Sequence, residues 1–345
     1  MTKHILKSLV LATAVSVMSA QAATLLVANK SEASVSLYRL PEGEKVATLG
    51  TDEGPHEIAI SLNGEIAVVT NYGTRQSAGN TLTVIEVPTA RILRTIDLAE
   101  DAMPHGIKWL GEEIVAVTAE GVRALLLVNI NTGETVKTIG TDQDISHMLA
   151  LSQDHDRAFV ANIGSGTATV IDLEEAKALV DLAAGAGSEG IAVVRGGSEL
   201  WVTNREAGSI SIFSIESLEK LVDIPLSGFP IRAEPDDERG RVYVTQPVAN
   251  AMSIIDVDTR RPEQRIDFDI GPDKSRKTLL SGAIPDSSIP VGVLLSGDGK
   301  TIFVAHTNAH VVSLWDASTL EFIRTIETGL EPDGMAWSAL DVEKQ

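Results

Sequence analysis

One short phrase recurs seven times along this chain: a hydrophobic strand ending in Val-Thr-Asn or a close variant. Its last position is filled in turn by Asn29, Asn71, Ala119, Asn162, Asn204, Gln246 and His306, so successive copies lie 42 to 60 residues apart. Self-similarity at about 40 to 50 residues is the mark of a propeller or array. Each copy sits among short runs rich in Val, Ile and Thr. The first complete set spans 57–61, 65–71, 81–87 and 92–98, with Leu62-Asn63-Gly64 as the tight turn between the first two. Four antiparallel strands per unit make a propeller blade, whose radial repetition leaves only short edges. The expected fold is therefore an all-β, seven-bladed β-propeller.

The remaining inner strands start near Gly106, Met148, Gly190, Arg232, Gly292 and Gly334. Neither end completes a blade. The chain opens with three strands (24–29, 34–38, 45–49) and closes with a lone inner strand, 334–338. Joining the two gives the seventh blade and closes the ring without a covalent link, which keeps a repeat protein from fraying.

Residues 1–22 read as an export signal. Lys3 and Lys7 precede a short apolar run, and Ala20-Gln21-Ala22 gives the small-x-small cleavage pattern. The propeller domain is then 23–345, exported to the periplasm or beyond. The chain has no cysteine, so the fold stands without disulfides. No other apolar stretch approaches the ~18 residues of a membrane span, so no membrane insertion is expected. The 28 basic and 48 acidic residues give a formal charge of −20, and the signal holds two of the lysines and no carboxylate, leaving −22 on the remainder. Such a surface repels nucleic acid. A monomer is expected.

The runs Gly190-Ile191-Ala192-Val193, Trp201-Val202-Thr203-Asn204 and Thr169-Val170-Ile171-Asp172 carry a recognisable pattern. It resembles the YVTN family of seven-bladed β-propeller repeat proteins over essentially the whole exported chain. The second repeat departs most, with Ala119 in place of the final Asn. The resemblance implies a fold and a range of binding and accessory roles, some beside quinone- or haem-dependent dehydrogenases.

Aligning the inner strands places one residue of each copy at the mouth of the central channel: His56, His105, His147, Glu189, Ile231, Val291 and Asp333. Around the closed ring, Asp333, His56, His105, His147 and Glu189 occupy five neighbouring blades. Imidazole and carboxylate donors suit zinc, copper or iron, so these five are the candidate metal ligands. The alternative is that they pack between blades and never meet. Two insertions, at 71–80 and about 270–289, emerge on this same face, which marks it as the expected binding face because loops carry function. Asn71, Arg75, Asn204, Arg232, Lys274, Arg276 and His306 are its candidate ligand or partner contacts, with Lys274, Arg276 and Lys277 forming a basic spot on an acidic protein.

The expected function is thus a periplasmic binding or accessory protein, taking a small ligand, a metal ion or a periplasmic protein at the channel mouth, and not an enzyme. Two alternatives stand beside it. Similarity to seven-bladed lactonases implies a lactonase-like hydrolase, with His56 or His105 as general base. A metal-carrying subunit of a periplasmic redox system is the other. There is no haem-attachment motif, because there is no cysteine.

Overall fold

The computed structural model describes residues 22–343. The export signal read from the sequence lies outside them, apart from Ala22. Among the described residues, no helix is long and apolar enough to cross a membrane.

Seven four-stranded antiparallel sheets form the molecule. Blade 1 is built from Pro55–Ile60, Ile66–Gly73, Ala78–Glu86 and Arg91–Asp97, in order from the axis outward. Blades 2 to 6 repeat that order, with inner strands Pro104–Trp109, Ser146–Leu151, Ser188–Val194, Arg232–Asp236 and Pro290–Leu295. Blade 7 joins the two ends of the chain. Its inner strand, Pro332–Ser338, pairs antiparallel with Ala23–Asn29, Leu25 opposite Trp337 and Val27 opposite Met335. Each inner strand touches the next around a closed circle.

The core is divided among the seven blade interfaces. One cluster packs Val68, Leu82 and Ile96 of blade 1 against Trp109, Val117 and Leu126 of blade 2, and six similar clusters serve the other junctions. Burial between blades is what stabilises a disulfide-free chain of this size.

The repeated phrase has a physical reading at each letter. Val buries into the interface. Thr staples one blade to the next: Thr70 donates to the carbonyl of His105 at 2.9 Å, Thr118 to that of His147 at 2.5 Å, Thr203 to that of Ile231 at 3.1 Å and Thr245 to that of Val291 at 2.8 Å. Asn ties the second strand to the third inside its own blade. Asn71 Nδ2 donates to Thr81 and Thr83, and Asn204 Nδ2 to Ser209 and Ser211, all at 2.9–3.1 Å.

The mouth residues are presented by two repeated backbone devices. Two positions before each lies a left-handed residue: Gly54, Met103, Ile145, Gly187, Phe229, Ile289 and Glu331, with φ from 48° to 72°. Then, in every blade but the fifth, the inner strand bulges at the mouth residue itself, as between Pro55 and Ile58, Pro104 and Ile107, and Ser146 and Leu149. A bulge re-aims a side chain without ending the ladder. Gly106 follows His105 because a Cβ there would lie 2.8 Å from the carbonyl oxygen of His147 in the next blade.

Candidate functional site

Together the kink and the bulge bring the expected arc to one place. His56, His105, His147, Glu189 and Asp333 are all buried at the mouth. The imidazole centroids of His56 and His105 are 4.8 Å apart, and those of His105 and His147 only 3.7 Å.

A second set of residues, unexpected from the sequence, completes the site. It occupies the position just after the Asn of the repeated phrase: Lys30, Tyr72, Glu120 and Arg205. Each engages a mouth residue. Lys30 pairs with Asp333. The Tyr72 ring lies 4.7 Å from that of His56 and 5.6 Å from that of His105, and its hydroxyl donates to Glu120 Oε2 at 2.6 Å. The other oxygen of Glu120 meets His147 Nδ1 at 2.5 Å. Arg205 Nη1 donates to Glu189 Oε2 at 2.6 Å, its guanidinium 5.3 Å from the centre of the Phe229 ring.

Beneath the arc, Arg232 crosses the channel from blade 5. Its Nη2 donates to Glu57 of blade 1 at 2.8 Å and its Nη1 to Glu189 of blade 4 at 3.3 Å. The mouth is therefore spanned by one continuous chain of polar contacts: Tyr72, Glu120, His147, Glu189, Arg232, Glu57.

Charge within the site follows from these contacts. Burial holds His56 neutral, its pKa pushed down to about 3, with Lys30 adding to the effect. Burial, then the neighbouring His147 and His56, hold His105 well below the ordinary value. His147 goes the other way: burial opposes its charge, but Glu120 and Glu189 outweigh it and raise the pKa. Burial likewise works against an ionised Glu189, yet His147, Arg232 and Arg205 bring its pKa down to about 2. Asp333 is lowered to about 2 against the cost of burial, chiefly by Lys30.

The donor set differs from the expected one. His105, Glu120 and His147 each offer a ligand atom, all within 4.8 Å of one another. Of the five expected ligands, only His105 and His147 belong to this group. Glu189 and Asp333 are taken by arginine and lysine, and His56 Nδ1 faces the Gly54 carbonyl at 2.8 Å. A buried nitrogen, His105 Nδ1, has no hydrogen-bond partner. Two imidazoles and a carboxylate fit a transition metal ion.

Three expected face residues are withdrawn into the blades. Asn71, Asn204 and His306 are fully buried and bridge strands. His306 does the work of the amide it replaces, holding Ser288 through Nδ1 and Ser313 through Nε2, both at 2.8 Å. The expected 71–80 insertion is largely strand: the hairpin extends through a Gly73–Ala78 pair, leaving Arg75 exposed in the tip. The long connection packs against blades 6 and 7. Asp273 N–H bonds Asn308 O of blade 6 and Leu280 N–H bonds Glu331 Oε1 at the entry to blade 7. Arg276 accordingly shares a groove with Glu32, Glu42 and Lys45, while Lys274 faces Asp286 at 3.7 Å.

Comparison with known proteins supports the architecture. No protein-family model matches the chain, and no curated protein matches it by sequence. Among solved structures it is similar to a periplasmic gluconolactonase of Pseudomonas aeruginosa, with a TM-score of 0.71 at 16% identity, covering 92% of this chain and 99% of that one. The hydrazine synthase of Kuenenia stuttgartiensis gives 0.67 at 15% identity over 81% and 88%. The dihydro-haem d1 dehydrogenase NirN gives 0.62 at 14% identity over 91% and 74%. The chain is a seven-bladed β-propeller. At these identities the likeness extends to the fold alone.

Proposed function

We propose that this protein is an exported, periplasmic binding propeller whose channel mouth holds a divalent transition metal ion through His105, Glu120 and His147. The observation that carries the reading is the convergence of two imidazoles and one carboxylate, one of whose members, His105, also has a buried, unpartnered Nδ1. Buried polar groups are almost always satisfied, so an orphan nitrogen on a member of the cluster points to a missing partner. Three protein ligands leave further positions on the metal for a small ligand. Zinc, copper and iron(II) all accept this donor set. The Tyr72 hydroxyl orients Glu120, as outer-shell partners orient metal ligands.

Hydrolysis with a histidine as general base is the weaker reading. A base works best with a pKa near the operating pH, whereas His56 and His105 are held far below it. Likeness to a gluconolactonase adds nothing to this at 16% identity.

The test is metal content of untagged protein after incubation with zinc, copper or iron(II) and desalting. One equivalent bound by the native chain, and lost in His105→Ala, is expected. If the native chain retains none, the reading fails. A lactone panel assayed on the same preparations decides the hydrolase alternative: turnover abolished by a His56→Ala/His105→Ala double change would favour it. A periplasmic pull-down with and without residues 273–286 reports on a protein partner.

A further inference from the structure

The channel continues beyond Arg232 into a chamber of about 290 Å3 that shares only Arg232 and Glu57 with the mouth network. Its walls are the inner strands, with Met148, Ile191, Val293, Leu294 and Met335 as the apolar lining. The Arg232–Glu57 pair closes the end nearest the mouth. Three residues that carry polar groups, from two facing blades, also line it: Lys108 and Trp109 of blade 2 and Glu234 of blade 5.

Each of the three has hydrogen-bonding capacity left over. Trp109 is 7% exposed and its indole N–H has no partner. Two of the other three indoles are paired: Trp201 donates to Glu199 at 3.0 Å and Trp315 to Ser313 at 2.8 Å. Buried indole N–H groups normally find an acceptor. Lys108 forms no salt bridge among the described residues. Glu234 accepts one bond, from Leu295 N–H at 3.0 Å, leaving an oxygen over. Burial, against the pull of that N–H and of Lys108 and with Asp236 adding to it, raises the Glu234 pKa to about 7, so near neutrality the carboxyl spends much of its time as a donor.

We infer that this chamber is a binding site for a small monocarboxylate with a short apolar tail, its carboxylate received by the Trp109 N–H, the Lys108 ammonium and the Glu234 carboxyl. The set is rich in donors and carries a positive charge, which selects acceptor oxygens and a negative charge. The apolar walls take the tail, and the volume, at the lower edge of the ~300–1,000 Å3 usual for ligand pockets, limits its length. Lys108 is exposed, so the ligand enters from the face opposite the mouth.

Butyrate is the probe, read by two-dimensional proton–nitrogen NMR of the full chain. The four tryptophans give indole N–H signals, and Trp109→Phe identifies the one from Trp109. Butyrate is expected to shift that signal saturably, n-butylamine to leave it in place, and Lys108→Met to weaken butyrate about tenfold, the value of one charge-assisted hydrogen bond. The surface position of Lys108 lets that variant fold. His105→Ala is expected to bind butyrate as the native chain does, which separates this site from the mouth. A Trp109 signal that butyrate does not move, an equal response to n-butylamine, or undiminished affinity in Lys108→Met overturns the inference.

Discussion

The Nδ1 atom of His147 lies 2.5 Å from Oε1 of Glu120, which joins blade 3 to blade 2 at the channel mouth. That contact, with Glu189 on the far side of the same ring, raises the pKa of an imidazole that burial alone would lower. Two other histidines of the arc, a few ångströms away, are held neutral by the same burial. Two carboxylates set this histidine apart from its neighbours.

Replacing Glu120 by Gln should therefore lower the His147 pKa, because burial then acts with only Glu189 to oppose it. An NMR titration of the ring checks this, and an unchanged value contradicts the assignment. The same pair sets a stability trend. A histidine whose folded pKa is raised contributes fully below its unfolded value, ~6.5, and that contribution is lost as the pH rises through the folded pKa. The native-minus-Gln stability difference should shrink over that rise, as followed by urea denaturation.

His306 predicts the opposite trend. Its pKa is pushed down to about 3 by burial. Above ~6.5 it is neutral whether folded or not, but as the pH falls below that value the unfolded chain takes up a proton that the folded one refuses. Lowering the pH from 6.5 to 5 should cost about 2 kcal/mol through this residue. His306→Gln, which copies Gln246 of blade 5, should flatten that part of the stability curve. An equal acid slope in both proteins assigns the loss elsewhere.

Thr118→Val keeps the shape of the side chain and removes its hydroxyl. The Gly106 N–H, 2.8 Å from that oxygen, and the His147 carbonyl both lose a partner in a buried interface. A loss of about 2 kcal/mol is expected in chemical denaturation. A change below about 0.5 kcal/mol would mean that the hydroxyl does not staple the blades.

Arg232→Met should be the most damaging of these changes. It strips Glu57 and Glu189 of a shared, buried cation, and breaking a buried pair by removing one partner costs about 3–5 kcal/mol. A double-mutant cycle with Glu57→Gln isolates the contact across the channel. Strict additivity would show that the two side chains do not interact.

The fold was legible because the phrase that recurs is also the phrase that assembles the blades. Its Val fills the interface, its Thr reaches the neighbouring inner strand, and its Asn ties two strands together. The mouth arc was legible for the same reason, since one alignment position repeats in space. Glu120 and Tyr72 were missed by a single residue. Side chains alternate along a strand, so moving one place past the Asn moves from the blade interior to the mouth. Four polar or aromatic residues at that position, Lys30, Tyr72, Glu120 and Arg205, were the available signal. His306 misled in the reverse sense: a histidine in an amide's place looks like a ligand, yet its two nitrogens only span two serine hydroxyls. The course of the 270–289 connection was not legible, because it depends on backbone contacts to Asn308 and Glu331 that leave no pattern in composition.

The closing strand fixes an order of events during synthesis. Thr24 finds its acceptor on Leu340, 316 residues further along. Until that segment exists, the strand that opens the chain has a free edge toward the axis, and the blades already formed make an open arc. Contacts so distant in sequence form late and slowly. Such an edge is also a template for pairing with another chain. Aggregation during production should therefore fall most heavily on chains that stop before Pro332–Ser338 is complete.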